Sequence, residues 1–161
     1  FVAFKQLADR KKEVFDADVE ALYLGVDPAA TGPWHLESLQ VSTGIGPGAA
    51  PTASVVLRDG NGQRMREAAS GDGPVDAIAQ AIARATGLRF ELKDYQVRSV
   101  TAGGDAQGQA SVRLHHYGRE YRGGALSTDV IEASARALLE AANRIASTER
   151  ARAARLAPTG T

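Results

Sequence analysis

The sequence predicts an α+β fold: two βββα units related by a pseudo-twofold axis, preceded by a helical linker segment. Three correspondences lead there. Leu36-Glu37-Ser38-Leu39-Gln40-Val41 returns as Leu92-Lys93-Asp94-Tyr95-Gln96-Val97, offset by 56. Ala53-Ser54-Val55 returns as Ala110-Ser111-Val112, offset by 57, and Val75-Asp76-Ala77 as Ile131-Glu132-Ala133, again by 56. A nearly constant offset implies one duplicated supersecondary unit, and a twofold relation between copies creates a cleft between equivalent loops.

The elements follow in order. Residues 1–33 read as the linker. Phe4, Leu7, Ala8, Val14, Phe15, Val19 and Leu22 recur at mostly helical spacing, and Asp16 can N-cap a second helical piece. Gly25 to Pro33 is a loop and domain boundary. Residues 34–88 are the first copy. Trp34 to Thr43 alternates as a half-buried strand with one slip, read as a bulge. Thr52 to Arg58 is a second strand, rich in β-branched residues. Asp59-Gly60-Asn61-Gly62 is a hairpin turn, read as a primed turn in which Asn and Gly take positive φ. Gln63 to Ala69 is the returning strand. Pro74 opens a helix, Val75 to Thr86, and Gly87 stops it.

Residues 89–148 repeat the order. Phe90 to Ala102 is a strand and residues 103–108 a glycine-rich loop. Ala110 to His116 and Glu120 to Gly123 form a hairpin through Tyr117-Gly118-Arg119. Ser127 or Thr128 is expected to cap a helix from Val130 to about Ser147, with Asp129 near its positive end. Residues 149–161 read as a flexible tail. Each copy alone is a half-finished core, so each must be completed by the other.

Composition narrows the function. Lysine plus arginine and aspartate plus glutamate number 19 each, which argues against a polyanionic partner such as nucleic acid. The absence of cysteine removes disulfides and thiolate metal sites. No apolar run approaches the roughly 20 residues of a membrane span. Phe1-Val2-Ala3-Phe4 runs into charged residues without the regions of a signal peptide, and a start at phenylalanine is expected of a segment cut from a longer chain.

Candidate chemistry is sparse. His35, His115 and His116 lack metal-ligand spacing, and adjacent strand residues point to opposite faces. Asp9, Glu13 and Asp16 read as solvated ion pairs with Arg10 and Lys12. No serine sits in a nucleophile elbow. Arg113, Arg119, Arg122, Arg136 and Arg144 lack the lysine cluster expected of an RNA module. Glycine-rich stretches at Gly71-Asp72-Gly73-Pro74 and Gly103-Gly104-Asp105 are turns in their plainest reading. The first, however, runs into a helix N-terminus, where backbone N–H groups and the helix dipole suit a carboxylate. Asp72 and Asp105 would suit an ammonium, and an amino-acid ligand requires both.

Further residues carry a resemblance. They are Phe4-Lys5-Gln6-Leu7-Ala8-Asp9-Arg10-Lys11-Lys12-Glu13-Val14-Phe15-Asp16, then residues 71–77, Leu92-Lys93-Asp94-Tyr95, Gly104-Asp105-Ala106-Gln107-Gly108, and residues 127–137. In this order and spacing, from the start to about Ile145, the chain resembles the C-terminal regulatory part of 2-isopropylmalate synthases. The resemblance implies a two-copy βββα domain that dimerises and binds L-leucine near the dimer interface for feedback inhibition. It implies a cytoplasmic enzyme of leucine biosynthesis. A TIM barrel outside this segment would condense acetyl-CoA with 2-oxoisovalerate on a divalent metal, so no cofactor and no catalytic residue is expected here. Residue by residue, the effector pocket would use Gly71, Asp72, Gly73 and Val75 from the first copy. From the second it would use Leu92, Tyr95, Ser99, Asp105 and Ala106. Asp72 stands where some relatives carry asparagine, and relatives can carry a further acid near Gly103-Gly104-Asp105; both positions bear on effector choice. Two alternatives remain open: an isoleucine-binding citramalate synthase domain, and a dimerisation module without effector.

Overall fold

The structure is a computed structural model that describes residues 32–100 and 106–156. The predicted linker helices, the tip of the β4–β5 loop with Asp105, and residues 157–161 lie outside the described residues. The order is β1 (His35–Ser42), β2 (Thr52–Arg58), β3 (Arg64–Ser70), α1 (Pro74–Thr86), β4 (Glu91–Ser99), β5 (Gly108–His116), β6 (Arg119–Ser127) and α2 (Val130–Leu156). Two separate antiparallel sheets result, β1-β2-β3 and β4-β5-β6. The α+β class and the doubled βββα order predicted from sequence are what is observed.

Alternation builds each sheet's inner face. Ala53, Val55 and Leu57 of β2 are buried, as are Ala110, Val112 and Leu114 of β5, while the residues between them are more exposed. α1 rests on β2 and β3, and α2 on β5 and β6. The helices also touch each other, and α2 reaches across to β1. One continuous core forms, with Ile78, Ile82, Leu138 and Ile145 fully buried in it. This explains how two three-stranded sheets, each marginal alone, become one stable body.

The slip read in β1 is a bulge between Leu36 and Ser38, and it is duplicated between Leu92 and Asp94. A bulge re-aims the residues after it, so both first strands bend alike. At the close of α1, Gly87 takes φ 73° and its N–H bonds the Ala83 carbonyl, as a glycine stop should.

Four local expectations require correction. In the first hairpin only Gly62 has positive φ, at 82°. The Gly62 N–H bonds the Asp59 carbonyl, and Asp59 Oδ1 accepts the N–H groups of Asn61 and Gln63. A three-residue connection favours this turn-plus-bulge over a primed turn. The primed geometry belongs to the second hairpin, where Tyr117 and Gly118 have φ 45° and 79° between the paired His116 and Arg119.

Strand β6 continues to Ser127, beyond the predicted Gly123, because Gly124 and Ala125 keep pairing with Ser111 and Ala110. The cap of α2 is Asp129 itself, not Ser127 or Thr128: its Oδ1 accepts the Ile131 N–H at 2.8 Å. Ser127 supports it, accepting the Asp129 N–H and donating to Glu132.

The fourth correction lengthens α2, which runs on to Leu156 where a tail from residue 149 was expected. Alanine and arginine are strong helix formers, and Glu149 is tied back to the buried His116 at 3.3 Å. A further long-range tie holds the entry to β1. The Trp34 N–H donates to Asn143 Oδ1, and Asn143 Nδ2 donates to the Trp34 carbonyl, at 3.0 and 2.9 Å.

Candidate functional site

The groove that matters lies between the first strand of one copy and the first turn of the other copy's helix. It has a volume of about 690 Å³. Leu36, Leu39 and Val41 of β1 and Ile131 of α2 supply its apolar wall. Thr43, Glu37, Asp129, Glu132 and Arg136 supply polar lining, and Pro74 at the start of α1 also lines the groove.

Its electrostatics are internally satisfied. Glu37 pairs with Arg64 at 2.7 Å. Glu132 pairs with Arg136 at 3.0 Å, one helical turn on. The Arg136 guanidinium and then the Ser127 hydroxyl hold the Glu132 carboxyl below the usual carboxylate range. Asp129 is committed to the α2 cap.

The duplication gives this groove a counterpart. Carried through the 56-residue offset, Leu36, Leu39, Thr43, Asp129 and Ile131 become Leu92, Tyr95, Ser99, Gly73 and Val75. These are predicted effector residues. Leu92, Tyr95 and Val75 all sit on the rim of the common core. Ser99 ends β4, and Ala106 is exposed at the base of the β4–β5 loop, which the Val100 N–H closes on the Gln107 carbonyl.

The two copies differ most at their helix entrances. Gly73 is the N-cap of α1, in extended conformation, and no side chain caps the helix. Pro74 has no N–H, so the first-turn donors available are those of Val75 and Asp76. The Asp76 carboxylate turns back instead to accept the Asp72 N–H at 2.9 Å. Gly71 is required by this turn. A Cβ there would lie 2.4 Å from the Ala77 nitrogen and 2.6 Å from Asp76 Oδ2. The Asp72 side chain is exposed.

A second difference escaped sequence reasoning. The Tyr95 hydroxyl lies 2.6 Å from Ser134 Oγ on α2. The offset counterparts of this pair are Leu39 and Ile78, both apolar. The signal was present as a paired exchange of apolar for polar residues, but the two members are 39 residues apart. Among the described residues, no three histidine, aspartate or glutamate side chains are grouped to hold a metal, and no helix is long and apolar enough to cross a membrane.

Comparison with known proteins agrees with this geometry. The LeuA allosteric (dimerisation) domain matches residues 13–146. A 2-isopropylmalate synthase of Crocosphaera subtropica is 47% identical over 145 residues, covering 90% of this chain and 27% of the relative. That of Picosynechococcus sp. is 46% identical over the same length and shares. That of Thermosynechococcus vestitus is 45% identical over 149 residues, again 90% of this chain and 27% of the relative. The chain thus spans about a quarter of the length of the curated relatives it matches. With two βββα copies about one core and a family match over most of its length, the chain belongs to the LeuA allosteric (dimerisation) domain family.

Proposed function

We propose that this domain is the effector-binding regulatory part of a 2-isopropylmalate synthase, taking L-leucine for feedback inhibition and assembling as a homodimer. The observation that carries the reading is the difference between the two helix entrances. The observed groove sets an apolar wall beside the α2 N-terminus, and the 56-residue offset assigns Leu92, Tyr95 and Val75 to the equivalent places beside α1. Only α1 leaves its first turn without a capping side chain, since Asp129 occupies the equivalent place on α2. An incoming carboxylate can take that place on α1, with the helix dipole adding to the attraction. Leu92, Val75 and the Tyr95 ring would receive the aliphatic side chain. Asp72, exposed beside the α1 entrance, would stand near the ammonium.

The proposed mechanism is coupling, not chemistry. An effector bound more tightly by one arrangement of the dimer shifts the population towards it. The catalytic condensation of acetyl-CoA with 2-oxoisovalerate would occur in a barrel elsewhere in the full chain.

A thermal-shift series on the full chain tests this reading. Leucine at about 100 times Kd should stabilise by roughly 2.7 kcal/mol. Stabilisation by isoleucine alone would transfer the reading to a citramalate synthase. Stabilisation by neither would leave a dimerisation module without effector.

A further inference from the structure

We infer that Ser134 is a positioning residue that makes the Tyr95 hydroxyl oxygen an acceptor for the ammonium group of an amino-acid effector. The inference rests on the reading above and deepens it by assigning one end of the ligand.

The argument is a count of protons. Ser134 is fully buried on the first turns of α2. Its Oγ lies 2.7 Å from the Val130 carbonyl oxygen and 2.6 Å from the Tyr95 hydroxyl. A carbonyl oxygen only accepts, so the single Ser134 proton goes to Val130. The Tyr95 hydroxyl must then donate its own proton to Ser134. The chain runs one way, from Tyr95 to Ser134 to Val130. Among the described residues no donor reaches the Tyr95 oxygen, and a hydroxyl that donates its proton can still accept from a ligand. An ammonium supplies such a donor; a carboxylate does not.

Placement agrees. Tyr95 is the counterpart of Leu39, which lines the observed groove, and Gly73 is the counterpart of Asp129. By the 56-residue offset, Tyr95 and the uncapped α1 entrance hold the places that Leu39 and Asp129 hold beside the observed groove. In the observed groove Leu39 offers no acceptor, and Ile78 stands at the position equivalent to Ser134. The acceptor and the residue that orients it occur together in one copy and are absent together from the other.

The test compares L-leucine with 4-methylpentanoate, which is leucine without its ammonium group, by calorimetry on the full chain. The wild-type chain should prefer leucine. Ser134→Ala frees the Tyr95 proton to turn towards the ligand and should reduce that preference about tenfold or more, leaving 4-methylpentanoate affinity unchanged or improved. Tyr95→Phe should reduce the preference similarly, and the double variant should lose no more than Tyr95→Phe alone. Ser134→Thr, which keeps the hydroxyl, should restore the preference. A merely structural role for Ser134 predicts equal loss for both ligands, and that result overturns the inference. So does an intact leucine preference in Ser134→Ala and Tyr95→Phe. A wild-type chain that binds neither leucine nor isoleucine instead overturns the reading on which the inference rests.

Discussion

Gly71 and Gly123 show how a single missing Cβ can shape this molecule. At Gly123 a Cβ would fall 2.0 Å from the Ala137 carbonyl oxygen, where β6 passes directly beneath α2. Gly123→Ala should therefore cost at least the upper end of the ~1–3 kcal/mol typical of overpacking, measured by denaturant unfolding. Gly73 is the opposite case. It is extended, and nothing lies within 4 Å of a Cβ built there. Gly73→Asp should place a capping carboxylate where the effector's carboxylate would bind. Helix stability should rise by a few tenths of a kcal/mol, while leucine affinity collapses. Stability and binding moving together would contradict the proposed site. Glu132 adds a pH signature. Its folded-state carboxyl is held below the ordinary value of 4.5, so the stability it contributes is complete above that value. It is lost as the pH falls through the lower folded value. Glu132→Gln should lower stability slightly at neutral pH, flatten the acid limb of the stability curve in that window, and converge with the wild type below it.

At the scale of elements, the second helix departs furthest from its sequence reading. Its last two turns, residues 150–156, are exposed all round, with Leu156 77% exposed, yet Glu149 reaches the buried His116. His116 Nδ1 is also 2.5 Å from the Arg89 carbonyl oxygen in the connection between copies. The end of α2 is thereby tied to the junction of the two units. Truncation after Ser147 should cost about 1 kcal/mol, the range of one side-chain hydrogen bond, where an unattached tail would cost nothing. The helix starts are equally instructive. Asp129→Ala should destabilise α2 by about 1 kcal/mol through loss of its cap. No such loss is available at α1, which has no capping side chain to lose.

For the whole molecule, the consequence is broken symmetry. Duplication gives the residues of the observed groove a second set of counterparts, and only that second set pairs an uncapped helix entrance with a tyrosine. Calorimetry on the full chain should give one effector per chain; two would mean that the Asp129 cap does not exclude the ligand's carboxylate. The doubled plan was legible in the sequence because its signals are local or regular. The 56-residue offset, the bulged alternation of β1, and the glycine stop of α1 each depend on neighbours a few residues apart. Of the candidate site, Gly73, Val75, Leu92, Tyr95 and Ser99 entered through the family resemblance, and the structure adds that their offset counterparts line a groove.

What the sequence by itself determined was the repeat, the element order, and the residue types that an amino-acid site would need. Tertiary structure alone decided which acid caps α2, how far β6 and α2 extend, and which hydroxyl receives the Tyr95 proton. The physical reason is distance along the chain. The Trp34–Asn143 clamp spans 109 residues and the Tyr95–Ser134 bond spans 39. Such contacts exist only after the two half-cores close on each other, and no local propensity encodes them.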